Sequence, residues 1–226
     1  MKILVTGANG LLGQKLISLS ESLHEISFVA TGRGKNRNPP GKYEYRQLDV
    51  THQGEVSKVL KEINPDVVIN CAAMTHVDQC ETQQEACWAQ NVTALEYLIA
   101  SCIEVNAFLI HLSTDFIFDG LLGPYAEEAV ANPLSHYGLS KLASEDLLKA
   151  SSVKSAIVRT VLVYGIAHDM SKSNIILWVK HSLEQGKKIQ VINDQWRTPT
   201  LAEDLALGCM AIAQKKVEGI FNVSGK

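Results

Sequence analysis

Tyr137 and Lys141 stand four residues apart in the stretch Ser135-His136-Tyr137-Gly138-Leu139-Ser140-Lys141. Four residues is about one helical turn, so both side chains project from one face. An ammonium beside a phenol favours the phenolate and lowers the tyrosine pKa from its reference of about 10. A tyrosine tuned in this way passes a proton to or from a substrate oxygen near neutral pH. Taken alone, the spacing is more often an exposed helical Tyr and Lys that share a face, because the pattern is short. Its weight comes from the segments that would position it.

The first of these is the N-terminus. Lys2-Ile3-Leu4-Val5-Thr6 is an apolar, β-rich run that reads as a buried strand. Gly7-Ala8-Asn9-Gly10-Leu11-Leu12-Gly13 follows at once, and Leu11, Leu12, Leu16 and Leu19 then recur at helical spacing. Strand, glycine turn and helix in this order form a phosphate cradle. Gly7 makes the tight turn, Gly10 leaves room for a pyrophosphate, and Gly13 lets helix and strand pack closely. The helix N-terminus adds free amide hydrogens and partial positive charge. The spacing is GxxGxxG, looser than GxGxxG, and its flanking elements favour a nucleotide over a plain turn.

The second strand, read over Glu25 to Thr31, discriminates between nucleotides. An acidic residue at its end would accept hydrogen bonds from the ribose 2′-hydroxyl of NAD. No Asp or Glu occurs between Glu25 and Glu44; Arg33, Lys35 and Arg37 cluster there instead. A guanidinium fork suits a 2′-phosphate. NADPH is therefore expected, with NADH use left open.

Further along, strands alternate with helices: Tyr43 to Leu48, a helix to Ile63 capped by Thr51, Asp66 to Asn70, a long helical pattern from Asp78 to Glu104, and Ala107 to Leu112. A helix from Ser135 to about Ala150 and strands at Ser155 to Arg159 and at the C-terminal end complete the series. Alternation of this kind implies an α/β, doubly wound parallel sheet covered on both faces. Ligands in such folds bind beyond the carboxyl ends of the strands. Four polar groups fall there: Asp49, suited to an adenine amino group; Asn70-Cys71-Ala72-Ala73, whose small residues admit a cofactor; the Ser113-Thr114 hydroxyl pair; and Asp115, read as a turn or cap residue. A hydroxyl at Ser113 or Thr114 would orient a carbonyl for Tyr137.

Composition limits the alternatives. The chain of 226 residues is 46% hydrophobic and 20% charged, enough for a packed core. A net charge of −3 argues against nucleic acid as the main partner. No apolar run approaches the roughly 18–20 residues of a membrane span, and no signal peptide is visible, so a cytoplasmic location is expected. Cys71, Cys80, Cys87, Cys102 and Cys209 include no CxxC pair and read as free thiols. No metal is assigned.

Together these segments resemble the extended short-chain dehydrogenase/reductase superfamily and, within it, the dTDP-4-dehydrorhamnose reductase group. The resemblance rests on the glycine turn, Asn70-Cys71-Ala72-Ala73, Met74-Thr75-His76-Val77-Asp78 with Glu81, Ser113-Thr114-Asp115-Phe116-Ile117-Phe118-Asp119-Gly120, Tyr137 to Leu142, and Asp194-Gln195 with Pro199-Thr200. It implies an NADPH-dependent reductase of a nucleotide-linked keto sugar, with a Rossmann domain over residues 1–165 and substrate-lobe elements over 166–226, interleaved with the end of that domain.

The implied catalytic residues are Thr114, Tyr137 and Lys141. The implied cofactor contacts are Gly7, Asn9, Gly10, Leu11, Leu12, Arg33, Asp49, Val50, Cys71, Ala72, Ala73, Tyr137 and Lys141. Ser113, Thr114, Trp196 and Arg197 are the implied substrate contacts, Trp196 by stacking and Arg197 on a diphosphate. Val161 to Gly165 would lie near the nicotinamide, and Asn91 would support the central helix. Members of the group usually continue for several tens of residues beyond this C-terminus. A homodimer is compatible with the resemblance. So are two other roles: a non-catalytic NADP-binding regulatory subunit like that of methionine adenosyltransferase, and a nucleotide-sugar epimerase or dehydratase. The acidic pair usual after the threonine of dehydratases is missing here.

Overall fold

Lys2–Thr6 forms strand β1, with Ile3, Leu4 and Val5 wholly inaccessible. Side chains alternate along a strand, so Ile3 and Val5 enter one apolar layer while Leu4 enters another. The unbroken hydrophobic run thus marks a strand covered on both faces. The remaining elements are α1 (Leu11–Ser18), β2 (Ser27–Gly32), β3 (Tyr43–Gln47), α2 (Gln53–Ile63), β4 (Val67–Asn70), α3 (Val77–Thr82), α4 (Gln84–Trp88), α5 (Ala94–Glu104), β5 (Phe108–Thr114), α6 (His136–Ala150), β6 (Ser155–Thr160), β7 (Val163–Tyr164), α7 (Ile175–Glu184), β8 (Thr200–Leu201), α8 (Ala202–Lys215) and β9 (Gly219–Asn222). This computed structural model describes residues 1–169 and 174–225; 170–173 and 226, which fall in the segment assigned above to the substrate lobe, lie outside the described residues.

The main sheet is seven-stranded in the order β3-β2-β1-β4-β5-β6-β9, and each neighbouring pair is parallel. Strands β7 and β8 form a separate parallel pair. On one face Leu16 and Ile17 of α1 and Leu205, Cys209 and Met210 of α8 pack on Ile3, Val5 and Ile110. On the other, Leu60 of α2, Leu95 and Leu98 of α5 and Leu148 of α6 pack on Leu4, Val68 and Leu109. Each such buried aliphatic side chain stabilises the fold by about 1.5–3 kcal/mol relative to exposure. The strand order reverses between β1 and β4. A crevice therefore opens beyond their carboxyl ends, the place where doubly wound sheets bind ligands. Among the described residues no helix is long and apolar enough to cross a membrane.

Three local expectations are corrected and a fourth is narrowed. Asp78 to Glu104 is not one helix: Gln83, at φ −127° and ψ 57°, separates α3 from α4, and residues Ala89–Thr93 form a π-helical turn before α5. The wider π turn goes with Asn91 pointing inward, where its side chain bonds both backbone polar groups of Met74 (2.8 and 3.0 Å). Thr51 does not cap α2; its amide and hydroxyl donate to Asp49, and His52 occupies the cap position without a side-chain bond. Asp115 is a turn residue, the first of the short turn Asp115–Ile117 after β5, but not its cap; that cap is Thr114, whose hydroxyl accepts from the Phe116 amide. Ser113 and Thr114 belong to β5 itself and do not follow it.

Candidate active site

Gly7 leaves β1 at φ +62°, a conformation that favours glycine. A Cβ there would lie 2.8 Å from the Ala72 nitrogen, so β1 and the segment after β4 approach each other as only glycine permits. Gly10 then begins α1 with no side-chain cap, leaving the first-turn amides of the helix directed at the crevice. Around Gly10 the only neighbour a Cβ would meet is the Gly7 carbonyl, at 3.3 Å. Uncapped amides beside an open glycine surface fit a pyrophosphate. The crevice has a volume of about 680 Å³.

Most of the residues expected at the site line this single cavity. They are Gly7, Asn9, Gly10, Leu11, Leu12, Arg33, Val50, Cys71, Ala72, Ala73, Ser113, Thr114, Tyr137, Lys141 and Arg197, joined by Arg37, Leu162 and Val163. Asn9 also organises the basic loop after β2. Its amide nitrogen donates to the Lys35 carbonyl (3.0 Å), and its oxygen accepts from the Arg37 amide (2.9 Å). Arg33 and Arg37 are thereby presented at the cavity, whereas Lys35 is not among its lining residues.

Two expected contacts lie elsewhere. Asp49 is not among the lining residues, because its carboxylate is turned onto Thr51. Burial alone would raise its carboxyl, but the Thr51 bonds and nearby Arg33 bring it below the ordinary carboxylate range. Trp196 is 99% exposed and is not among the residues lining the cavity. Arg197 alone of Asp194 to Thr200 reaches the cavity. It donates to Asp115 (3.2 Å) and lies 4.8 Å from the Phe116 ring centroid.

Helix α6 delivers Tyr137 and Lys141. Ser135 caps it by accepting from the Gly138 amide (3.1 Å). Gly138 lets the first turn press against the segment after β5, where a Cβ would overlap the Phe116 carbonyl oxygen. Tyr137 is buried beside Cys80, Cys87 and the edge of Phe116, whose ring centroid is 5.6 Å away. Burial pushes its phenol above the ordinary value, the neighbouring Thr114 hydroxyl draws it part of the way back, and Asp115 raises it further.

The expectation that Lys141 lowers the Tyr137 pKa is corrected. The Lys141 amine sits 2.9 Å from His111 Nε2, and Lys141 is not among the groups that shift Tyr137. Both side chains do share a helix face, but the buried polar partner on β5 captures the amine. Burial pulls the Lys141 pKa down to about 8, against the opposing pull of Glu145.

Ser113 lines the cavity, but its hydroxyl is spent on a buried partner. Its hydroxyl donates to Glu145 (2.5 Å), a carboxylate with no exposure that also receives two bonds from Arg159 (3.0 and 2.7 Å). Thr114 is the β5 hydroxyl that remains beside Tyr137. His111, Glu145 and Arg159 were not anticipated from the sequence. Each nevertheless left a signal. His111 interrupts the apolar run Phe108 to Leu112, and Glu145 follows Lys141 by one helical turn on the inner face. Charged residues are almost never fully buried without a partner.

The parallel sheet, the glycine turn under an uncapped helix and the Thr114–Tyr137–Lys141 cluster define a Rossmann-fold protein of the extended short-chain dehydrogenase/reductase class. Within that class the chain belongs to the RmlD substrate binding domain family, which it matches over residues 1–226. It is 35% identical to the probable low-salt glycan biosynthesis reductase Agl14 of Haloferax volcanii, covering 100% of this chain and 75% of the relative. It is 32% identical to methionine adenosyltransferase 2 subunit beta of Xenopus tropicalis, over 99% of this chain and 67% of that one. The structure of dTDP-4-dehydrorhamnose reductase from Bacillus anthracis in complex with NADP superimposes with a TM-score of 0.83 at 28% identity, covering 100% of this chain and 74% of that one. The chain thus spans about two thirds to three quarters of these relatives.

Proposed function

We propose that the chain is an NADPH-dependent reductase of a nucleotide-linked 4-keto-6-deoxy sugar. The carrying observation is that the glycine turn, the Arg33–Arg37 loop and the Thr114–Tyr137–Lys141 cluster open onto one cavity. The B. anthracis relative, whose structure holds NADP, supports the choice of coenzyme. When bound, the coenzyme supplies hydride to the carbonyl carbon. Thr114 donates a hydrogen bond to the carbonyl oxygen, and the Tyr137 phenol gives that oxygen its proton. Arg33 and Arg37 hold the 2′-phosphate, and the first-turn amides of α1 hold the pyrophosphate. Residues 166–226 contribute Arg197 to the sugar-nucleotide side.

The direct test is NADPH oxidation followed at the nicotinamide absorbance with dTDP-4-keto-6-deoxy-L-mannose as acceptor. Turnover supports the reductase reading; tight NADPH binding without turnover overturns it. The second result would favour the other reading, a non-catalytic NADP-binding regulatory subunit, which the 32% identity to the Xenopus protein named methionine adenosyltransferase 2 subunit beta supports.

Coenzyme choice has its own test. A hydrogen bond to a charged group contributes about 1.5–3 kcal/mol. Arg33→Ala is therefore expected to weaken NADPH binding by about 10- to 100-fold and leave NADH unaffected, as read by fluorescence titration. Equal loss for both coenzymes would remove Arg33 from the 2′-phosphate.

A further inference from the structure

His111 lies in the middle of β5, 1% exposed, and all its ring contacts are made inside the protein. The donors and acceptors around it admit one assignment. The Ala72 amide donates at 3.3 Å to both the Asn70 oxygen and the Thr6 hydroxyl, and the Thr6 hydroxyl donates its own hydrogen to the Asn70 oxygen (2.6 Å), which sets the orientation of the Asn70 amide. The amide nitrogen of Asn70 therefore faces His111 Nδ1, at 3.1 Å, as a donor. Nδ1 must accept, which places the imidazole proton on Nε2. Nε2 in turn faces Ser144 Oγ at 3.0 Å, whose own hydrogen is committed to the Lys141 carbonyl (2.7 Å). Every hydrogen from Thr6 to the α6 backbone thus has an acceptor.

Lys141 enters this chain from the other side, with Nζ 2.9 Å from the same Nε2. An ammonium has three donors and no acceptor. Set against an Nε2–H it would point hydrogen at hydrogen in a region shielded from water. A neutral amine presents a lone pair and shares that one N–H with Ser144 Oγ as a three-centre bond, the two acceptors lying 2.9 and 3.0 Å from Nε2.

We propose that His111, held by Asn70 as its Nε2–H tautomer, is a positioning residue that selects the neutral amine of Lys141 at this location. When protonated, the amine leaves His111 for the cavity side of α6, where Tyr137 lies. The proposal deepens the reductase reading, because it makes the side chain beside the proton donor a two-position group governed by a residue that touches neither sugar nor coenzyme.

The other titratable groups near Lys141 do not supply this selection. Glu145, on the same helix, favours the ammonium and is already paired with Arg159 and Ser113. Cys87 on α4 also favours the ammonium, and Tyr137 is held above its ordinary range. Asp115, after β5, is paired with Arg197. Burial of Lys141 by itself also favours the neutral amine.

The test uses the whole chain with neither coenzyme nor sugar, so its failure is distinct from a failure of sugar reduction. Histidine labelled with ¹⁵N reports the tautomer. Lysine labelled with ¹³C at the ε position, assigned with Lys141→Arg, reports the titration of the amine. In the wild type the Nε2–H form is expected, with the Lys141 midpoint near 8. In His111→Gln, whose amide oxygen can accept from an ammonium, the midpoint is expected to rise by about one unit or more. Should that variant not fold, Asn70→Asp carries the test: a carboxylate draws the proton onto Nδ1, freeing Nε2 to accept and moving both signals. An Nδ1–H tautomer in the wild type overturns the proposal. So does a Lys141 midpoint that stays fixed in a folded His111→Gln. A merely structural histidine would move the melting temperature and leave the lysine titration alone.

Discussion

Tyr137→Phe is expected to lower turnover of the keto sugar by about 10²- to 10⁴-fold, the usual contribution of a positioned general acid. NADPH affinity and melting temperature should stay close to the wild type, because the ring continues to fill its site against Phe116, Cys80 and Cys87. The elevated phenol bears on direction: a tyrosine held above its ordinary value is protonated throughout the neutral range and so is loaded as a donor. This suits reduction, in which an oxygen must receive a proton. Steady-state rates with stopped-flow binding separate the two effects. Retained turnover in the variant would remove Tyr137 from the chemistry, and lost coenzyme binding would show that its role lies in the cavity wall.

The second large effect concerns stability. Arg159 is 5% exposed and Glu145 not at all, and they share two hydrogen bonds. Arg159 also donates to the Glu127 carbonyl (2.8 Å), and its guanidinium carbon lies 5.4 Å from the Phe118 ring centroid, so it ties the segment after β5 to the sheet. Removing one partner of a buried pair leaves an uncompensated charge, at a cost of about 3–5 kcal/mol. Arg159→Met should therefore lower the urea midpoint strongly at pH 7, while Glu145→Leu combined with Arg159→Met should recover most of the loss.

The pH dependence follows from the sign of the shift. Burial alone would raise the Glu145 carboxyl, but the bonds from Arg159 and Ser113 bring it below the ordinary value. Its contribution in the wild type is present above the unfolded glutamate value of about 4.3 and lost as pH falls through the lower folded value. In Arg159→Met burial is opposed only by the Ser113 hydroxyl and by Lys149 (3.5 Å), so the carboxyl is raised relative to the wild type and protonates more readily. The gap between the two proteins should narrow from pH 7 to pH 4. A gap that stays constant would show that the loss comes from packing and not from the buried charge.

The chain's local chemistry determined much of this protein before any tertiary contact is considered. The apolar runs from Ile3 to Val5 and Val67 to Ile69 could only be strands covered on both faces. The glycines at 7, 10 and 13 called for a tight turn into a helix, and Ser135 placed the start of α6 within one residue. These features act through neighbours a few positions away, so they are legible in one dimension.

The tertiary structure decided where the polar side chains are spent. Tyr137 and Lys141 share a helix face as their spacing requires, yet the Lys141 amine goes to His111, 30 residues away on β5. Ser113 and Thr114 are adjacent and chemically alike, but alternation along β5 sends one to Glu145 and leaves the other beside Tyr137. Trp196 and Arg197 are adjacent as well; Arg197 finds Asp115 across 82 residues, while Trp196 stands in solvent. Such partnerships depend on which donor and acceptor meet in a low-dielectric interior, where an unmade hydrogen bond costs about 1–3 kcal/mol. That competition is settled by distances between segments, and spacing along the chain does not contain them.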